Sequence, residues 1–282
     1  MAAKYARATG GNWNTDATWS TTDGGAADTV KPTAADDVFL TATSGAVTID
    51  AASVCRSINC TGYASTLTHN NFSLDIGDAT AGASNIALKF STTMAYTASA
   101  ATSLFNFIST SATQQTVDFQ STGSVRRIGS ATFNATSNGS WILSSSMQCA
   151  SAFGTVTLTK GTLDINGQTC SWGLFNAANT NTKVLTLGSA NITITGSGAG
   201  QTQGWLLTAT GTTLTANTAT ITLSGASAVF NTGAFTWGGT VVFSGSGTPA
   251  INGSGATIAN LTRTGTAVKT DEMQFSLTSI TI

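Results

Sequence analysis

Apolar and polar residues alternate with a period of two along most of the chain. Val47-Thr48-Ile49, Thr155-Val156-Thr157-Leu158, Leu163-Asp164-Ile165, Ile192-Thr193-Ile194 and Val241-Val242-Phe243 are examples. Such runs predict half-buried strands, because successive side chains of a strand point to opposite faces. Gly, Asn and Ser-Gly pairs interrupt the runs every few residues and predict tight turns. Leu never recurs at helical spacing, and Glu272 is the only Glu. Pro32 and Pro249 are the only prolines, a scarcity that suits uninterrupted backbone pairing. The chain therefore reads as all-β.

A longer period lies over this one. Trp141, Trp172, Trp205 and Trp237 recur at nearly even steps of 31, 33 and 32. Three of them open similar phrases, Trp141-Ile142-Leu143, Trp172-Gly173-Leu174-Phe175 and Trp205-Leu206-Leu207. A recurrence at about 32 residues predicts a stacked repeat with one supersecondary turn per unit. That length fits one coil of a parallel β-helix (β-solenoid) with three short strands, each strand stacked on its equivalent, and one buried Trp per coil. A β-sandwich or jelly roll with fortuitous Trp spacing is the alternative.

Three regions are expected. Residues 1–50, rich in Trp and Asp, form a capping or attachment segment in which Trp13 and Trp19 pack and Asp36 and Asp37 precede a strand. Residues 51–135 are less regular strands, and 136–282 hold the clearest repeat. With no linker between them, 51–282 reads as one continuous solenoid. The closing phrase from Phe275 to Ile282 ends inside a strand pattern. That predicts cover from another subunit or continuation in a longer polypeptide.

Composition narrows the partners. Of 282 residues, 41% are hydrophobic and only 8% charged, against about 25% charged in ordinary globular proteins. Ser, Thr, Asn and Gly fill the solvent positions. The net charge of −1 and the lone basic doublet Arg126-Arg127 argue against a nucleic-acid partner. No apolar run approaches the length of a membrane span, and Met1–Arg7 lacks an apolar segment behind it. The expectation is synthesis in a cytoplasm without export by a secretory signal.

The opening resembles a known pattern. Gly11-Asn12-Trp13, then Ala17-Thr18-Trp19-Ser20, then Pro32 before Asp36-Asp37-Val38, then Val47-Thr48-Ile49-Asp50 is similar to the start of β-solenoid structural proteins of tailed phages. The same segment opens bacterial secreted β-solenoid adhesins. The resemblance covers about the first fifty positions and implies fold and setting, not activity. Without a secretory signal, it favours a non-enzymatic virion component (fibre, spike or capsid-surface protein). Similarity to phage fibres implies a homotrimer, contacts with other virion proteins through the N-terminal segment, and a host-surface glycan as a candidate ligand. The alternatives are a polysaccharide-depolymerising tailspike and an adhesin.

Candidate chemistry is thin. A depolymerase needs converging carboxylates, and between residues 79 and 270 only Asp118 and Asp164 are available. Asp164 is expected to face solvent. His69, the only His, falls in Thr68-His69-Asn70-Asn71 and reads as an exposed turn. Asp75–Asp78 and Asp23–Asp28 place carboxylates in Gly-rich turns without EF-hand spacing, and read as turn caps rather than calcium ligands. Cys55, Cys60, Cys149 and Cys170 match no zinc pattern and read as small buried hydrophobes; a Cys149–Cys170 bridge is the alternative. Thr-x-Thr recurs at Thr157–Thr159, Thr193–Thr195, Thr213–Thr215 and Thr220–Thr222. Arrays of this kind suggest ice binding, but loops of unequal length are expected to spoil a flat lattice, leaving Thr as a generic strand residue. No cofactor pattern is found.

Overall fold

The computed structural model describes residues 2–99, 102–120, 126–150, 154–196, 204–253, 256–265, 274–276 and 280–281. Its elements are strands; the only helical pieces among these residues are two short 3-10 turns, Asp16–Thr18 and Ala83–Asn85. The chain divides into two compact units, residues 1–150 and 151–282. The first fifty positions belong to unit 1, and their strands pair directly with those that follow.

Unit 1 is built mainly from three parallel ladders, with one further short parallel pair, Arg127–Ile128 with Gln148–Cys149. The first runs through Ala2–Ala6, Asp36–Phe39, Ser57–Asn59, Ile86–Lys89, Gln115–Asp118 and Ser140–Leu143. Its inward column is Lys4, Val38, Ile58, Leu88, Val117 and Leu143, the last five fully buried. The second runs through Gly11–Asn12, Val47–Ile49, Thr66–His69 and Ala95–Ala98. The third runs through Ser53–Cys55, Ser73–Ile76, Leu104–Phe107 and Ser130–Asn134. Its buried column is Cys55, Ile76, Phe107 and Phe133, and the two Phe rings stack at 4.8 Å, 8° from parallel. In-register parallel pairing brings like side chains together at one strand spacing, about 4.8 Å. The columns are thus the direct product of the period-two pattern.

Unit 2 repeats the plan with fewer charges. Its first ladder joins the start of Thr155–Asp164 to Leu174–Ala177, Gly204–Leu207, Val229–Asn231, Ala250–Asn252 and Gln274–Ser276. Val156, Phe175, Trp205, Phe230 and Ile251 are its buried column. The second joins the end of Thr155–Asp164 to Lys183–Thr186 and Thr212–Thr215. The third joins Thr169–Trp172, Asn191–Ile194, Thr220–Leu223, Thr236–Phe243, Ala256–Arg263 and Ile280–Thr281. Of the closing phrase, residues 277–279 and 282 lie outside the described residues, as does Glu272.

The Trp period is not the pairing period. Along the first ladder of unit 2, the steps in sequence from Val156 through Phe175, Trp205, Phe230 and Ile251 to Phe275 are 19, 30, 25, 21 and 24. The four Trps also sit in different ladders. Trp141 pairs with Gln115 in unit 1, Trp205 with Phe175 and Phe230 in the first ladder of unit 2, and Trp172 and Trp237 with Ile194 and Ile258 in the third. Pairing is fixed by strand alternation and turn chemistry, and the intervening loops differ in length. Equal spacing of one bulky residue therefore does not mark equivalent positions.

Corners are made by short side chains that hold left-handed backbone. Asp118 Oδ1 accepts the Gln120 amide at 3.0 Å, and Asp164 Oδ1 accepts the Asn166 amide at 2.7 Å. Gln120 and Asn166 adopt φ of 47° and 52°. Between each pair lies a buried apolar residue, Phe119 or Ile165. This is the Asx-turn geometry. Gly77 shows the same need without a side chain: φ is 137°, and a Cβ there would lie 2.2 Å from the Ser109 amide nitrogen.

Candidate functional site

The N-terminal end of unit 1 holds two buried Trp residues and two ion pairs. Trp19–Ser20 adds to Ala2–Ala6 in antiparallel sense and ends the first ladder with a very short strand. Trp13 and Trp19 are buried edge to face, 4.9 Å apart, and the Trp19 indole N–H donates to the Trp13 carbonyl at 2.8 Å. The inward column terminates at Lys4 rather than at an apolar residue. In register with Val38, the Lys4 ammonium meets the Asp28 carboxylate and the Val30 carbonyl. A lysine here lets an apolar stem cover the column while its charge is paired at the rim. The hydrogen bond from Lys4 holds the Asp28 carboxyl below its ordinary range.

Asp36 and Asp37 have separate roles. Asp36 Oδ2 accepts from the Thr33 amide and hydroxyl at 2.9 and 2.7 Å, closing the turn before its strand. Asp37 is buried against Arg56, which is 2% exposed. Arg56 grips it through Nε at 2.9 Å and through Nη2, while the Ser57 hydroxyl donates at 2.6 Å and the Ala83 amide at 3.3 Å. Burial alone would raise the Asp37 carboxyl; the guanidinium and hydroxyl outweigh it, and the net shift is downward. Arg56 carries no periodic signal in the sequence and was not expected in this role.

His69 does not lie in an exposed turn. It closes Thr66–His69, is fully buried, and stands in phase with Leu67. The alternation Thr66-Leu67-Thr68-His69 carried that signal, overshadowed by Asn70-Asn71. Nε2 lies 2.9 Å from the Phe72 carbonyl and Nδ1 lies 3.0 Å from the Tyr96 hydroxyl. A carbonyl only accepts, so Nε2 carries the proton and Nδ1 accepts from Tyr96. Burial pushes the imidazole down to about 4. Among the described residues both ring nitrogens are already used, by Tyr96 and Phe72, and no serine–carboxylate relay is attached.

The remaining candidates are each tied to a structural partner. Asp118 and Asp164 are the turn caps described above, Asp164 half-buried between Leu163 and Ile165 as the alternation requires. Asp75 Oδ1 accepts from Asn106 at 3.0 Å, Asp78 Oδ1 accepts the Ala79 amide, and Asp23 accepts from the Thr41 and Thr43 hydroxyls. Among the described residues no group of three or more His, Cys, Asp or Glu could hold a metal ion. The four cysteines are buried thiols and no Cys149–Cys170 bridge forms. Cys149 pairs in register with Ile128 and Cys170 with Ile192, so each serves as an apolar residue of its own ladder. Arg126 spends its guanidinium on the carbonyls of Thr92, Met94 and Gln120. No helix of the described residues is long and apolar enough to cross a membrane.

Lys89 faces outward between Asn59 and Asp118, beside a hollow of about 150 Å³ lined by Thr61, Phe90, Ser91, Thr92 and Gln120. Tyr5 and Phe39 stack at 5.0 Å on the same outer column. The four Thr-x-Thr phrases fall on three different ladders of unit 2. The unequal loops nonetheless leave the third ladder in register: Thr169, Asn191, Thr220, Thr240 and Asn260 form one outward column and Ser171, Thr193, Thr222, Val242 and Thr262 the next.

The Trp residues are buried, but they form no single stack of indoles. Trp172 and Trp205 lie 6.5 Å apart and nearly parallel, Trp237 meets Trp205 edge-on at 5.7 Å, and Trp141 packs on Phe133 at 5.5 Å. The Trp237 indole N–H donates to the Thr232 carbonyl at 3.2 Å. Those of Trp13, Trp141, Trp172 and Trp205 meet no acceptor among the described residues. Lys183, absent from any sequence expectation, is also buried. Its ammonium is held by the Asn179 and Asn181 carbonyls, and burial lowers its pKa. Its phase with Leu185 and Leu187 was the available signal.

No family model, curated protein or solved structure matches this chain.

Proposed function

We propose that each unit is a parallel β-solenoid and that the chain is a non-enzymatic structural protein of a tailed-phage virion, a fibre, spike or capsid-surface component. The observation that carries the solenoid is the run of in-register parallel ladders, the third ladder of each unit with an inward apolar column and an outward polar one. Successive strands of a ladder are separated by strands of the other ladders, as a chain winding around one interior requires. The virion setting rests on the resemblance of the opening segment and on the low charge. Its mechanism is mechanical: backbone pairing from coil to coil gives a stiff, protease-resistant support for an outer surface.

On this reading the partners are other virion proteins at the N-terminal segment, two further copies of the chain, and a host-surface glycan. The stacked Tyr5–Phe39 pair beside Asn59 and Lys89 is the surface best suited to a sugar ring, since aromatic faces and polar groups stand together there. The corner roles of Asp118 and Asp164 favour this over a depolymerase.

The test is mass spectrometry of gradient-purified phage particles, with labelling of the chain by electron microscopy. Stoichiometric recovery in particles is expected. Recovery on the bacterial surface instead would move the assignment to an adhesin, and release of oligosaccharides from capsule would move it to a depolymerase. Light scattering on the purified chain is expected to give a trimer.

A further inference from the structure

We propose that the second ladder of unit 1 carries an acid-sensitive latch: protonation of His69 releases the Ala95–Ala98 strand from Thr66–His69 while unit 2 keeps its fold. The His69 ring is wholly buried, and its neutral form satisfies every group around it. Nε2–H donates to the Phe72 carbonyl, and the Tyr96 hydroxyl donates to Nδ1. A second proton on Nδ1 would turn Tyr96 into an acceptor. Its own hydroxyl hydrogen would then have no partner, since Tyr96 makes no other hydrogen bond among the described residues.

Among the described residues no counter-charge faces the ring. From Ala95–Ala98 comes Tyr96, whose own ionisation burial disfavours, with the Cys149 thiol beyond it. From Val47–Ile49 comes Ile49, and from Leu104–Phe107 the Phe105 ring at 4.8 Å. The turn that follows offers only Asn70 and Asn71; the Ser103 hydroxyl is donated to the His69 carbonyl at 2.9 Å and the Ser99 hydroxyl to the Asn71 side chain at 2.8 Å. The Asp50 carboxylate, next to Ile49, is turned to the Asn14 amide and side chain. An imidazolium here would be a buried, unpaired charge.

The cheapest relief is local. Among the described residues Ala95–Ala98 is the outermost strand of a four-stranded sheet and pairs on one side only, with its residues alternating between exposed and half-exposed. Opening it hydrates the ring at the cost of one short ladder and of the packing of Tyr96 on Phe90 and Phe105, less than opening a strand paired on both sides. The closed site holds the imidazole near 4 against an ordinary value of 6.5. Between those values the open form binds the extra proton, so opening becomes more favourable as pH falls, on the order of 30-fold at pH 5 relative to pH 8. Unit 2 contains no histidine.

The experiment is backbone hydrogen exchange on the full chain at pH 8, 6.5 and 5, corrected for intrinsic rates. Amides that bridge the opened pair, such as those of Ala95 and Ser99, should lose protection by tens of fold at pH 5, while those of 191–194 and 220–223 change less than twofold. In His69→Gln, which keeps a donor and an acceptor but does not titrate, the pH dependence should vanish. The same slope in that variant, or none in the native chain, overturns the latch. Because the chain has a single His, its ring proton resonance gives an independent reading that needs no variant. Titration near 6.5 in the folded protein overturns the proposal, and titration below 5 supports it.

Discussion

The two units share one plan of parallel ladders but stabilise it differently. Residues 1–150 hold seven basic and nine acidic side chains, residues 151–282 four and three. In unit 1 the inward and corner positions include Lys4, Arg56 and His69, with the two carboxylates Asp28 and Asp37 drawn in to meet the cations. In unit 2 the interior is aromatic and aliphatic, Val156, Phe175, Trp205, Phe230 and Ile251 in one column, with Lys183 the buried charge among the described residues. Buried ion pairs contribute little net stability but make the loss of one partner expensive. Unit 1 should therefore respond to charge and pH, and unit 2 to side-chain volume.

The largest effect expected in unit 2 is Trp205→Ala, which empties the middle of its aromatic column and should cost about 3–5 kcal/mol, read as a fall in the denaturant midpoint of that unit. Trp205→Phe should be milder than its lost area suggests, because it also removes an indole N–H that has no acceptor. The counterpart in unit 1 is Arg56→Met, which strands Asp37 and should cost about 3–5 kcal/mol; adding Asp37→Leu should recover much of it. If Arg56→Met is harmless, the contrast between the units fails.

Acid sharpens the same contrast at slightly smaller size. His69 has its folded pKa depressed to about 4, so its contribution is complete above 6.5 and about 3 kcal/mol is lost as pH falls to 4. Asp37 and Asp28 are also depressed, so their contribution is present above 3.8 and disappears as pH falls below it. Hydrogen exchange on the full chain, resolved by unit, should show unit 1 losing protection first in acid. Smaller still, Lys183→Met should change unit 2 by no more than about 1 kcal/mol, since the lost carbonyl contacts are offset by removing a desolvated charge. Asp118→Asn and Asp164→Asn should be nearly silent, within about 0.5 kcal/mol, because Asn caps the same turns. A large loss from either would point to a role beyond the corner.

What was legible in the sequence follows the same divide. Period-two alternation identified the strands and correctly put Asp164 between inward Leu163 and Ile165, because side-chain direction is a local property of a strand. The Trp period misled, because Trp141, Trp172, Trp205 and Trp237 are placed by interior volume, whereas pairing distance is set by loops of unequal length. His69, Arg56 and Lys183 escaped because polar residues are read as solvent-facing by default. Only their phase with Leu67, or with Leu185 and Leu187, marked His69 and Lys183. For Arg56 the partner, Asp37, sits on the preceding strand of the ladder, beyond the reach of any local pattern.

The most direct test of the solenoid uses spin labels on one outward column of unit 2. Ser171, Thr222, Val242 and Thr262 occupy its first, third, fourth and fifth positions. Labels at 171 paired with 222, 242 or 262 should lie about 10, 14 and 19 Å apart, one strand spacing for each step. Distances that do not grow with ladder position would mean that these strands are not stacked in the order given, and the account of the fold would be wrong.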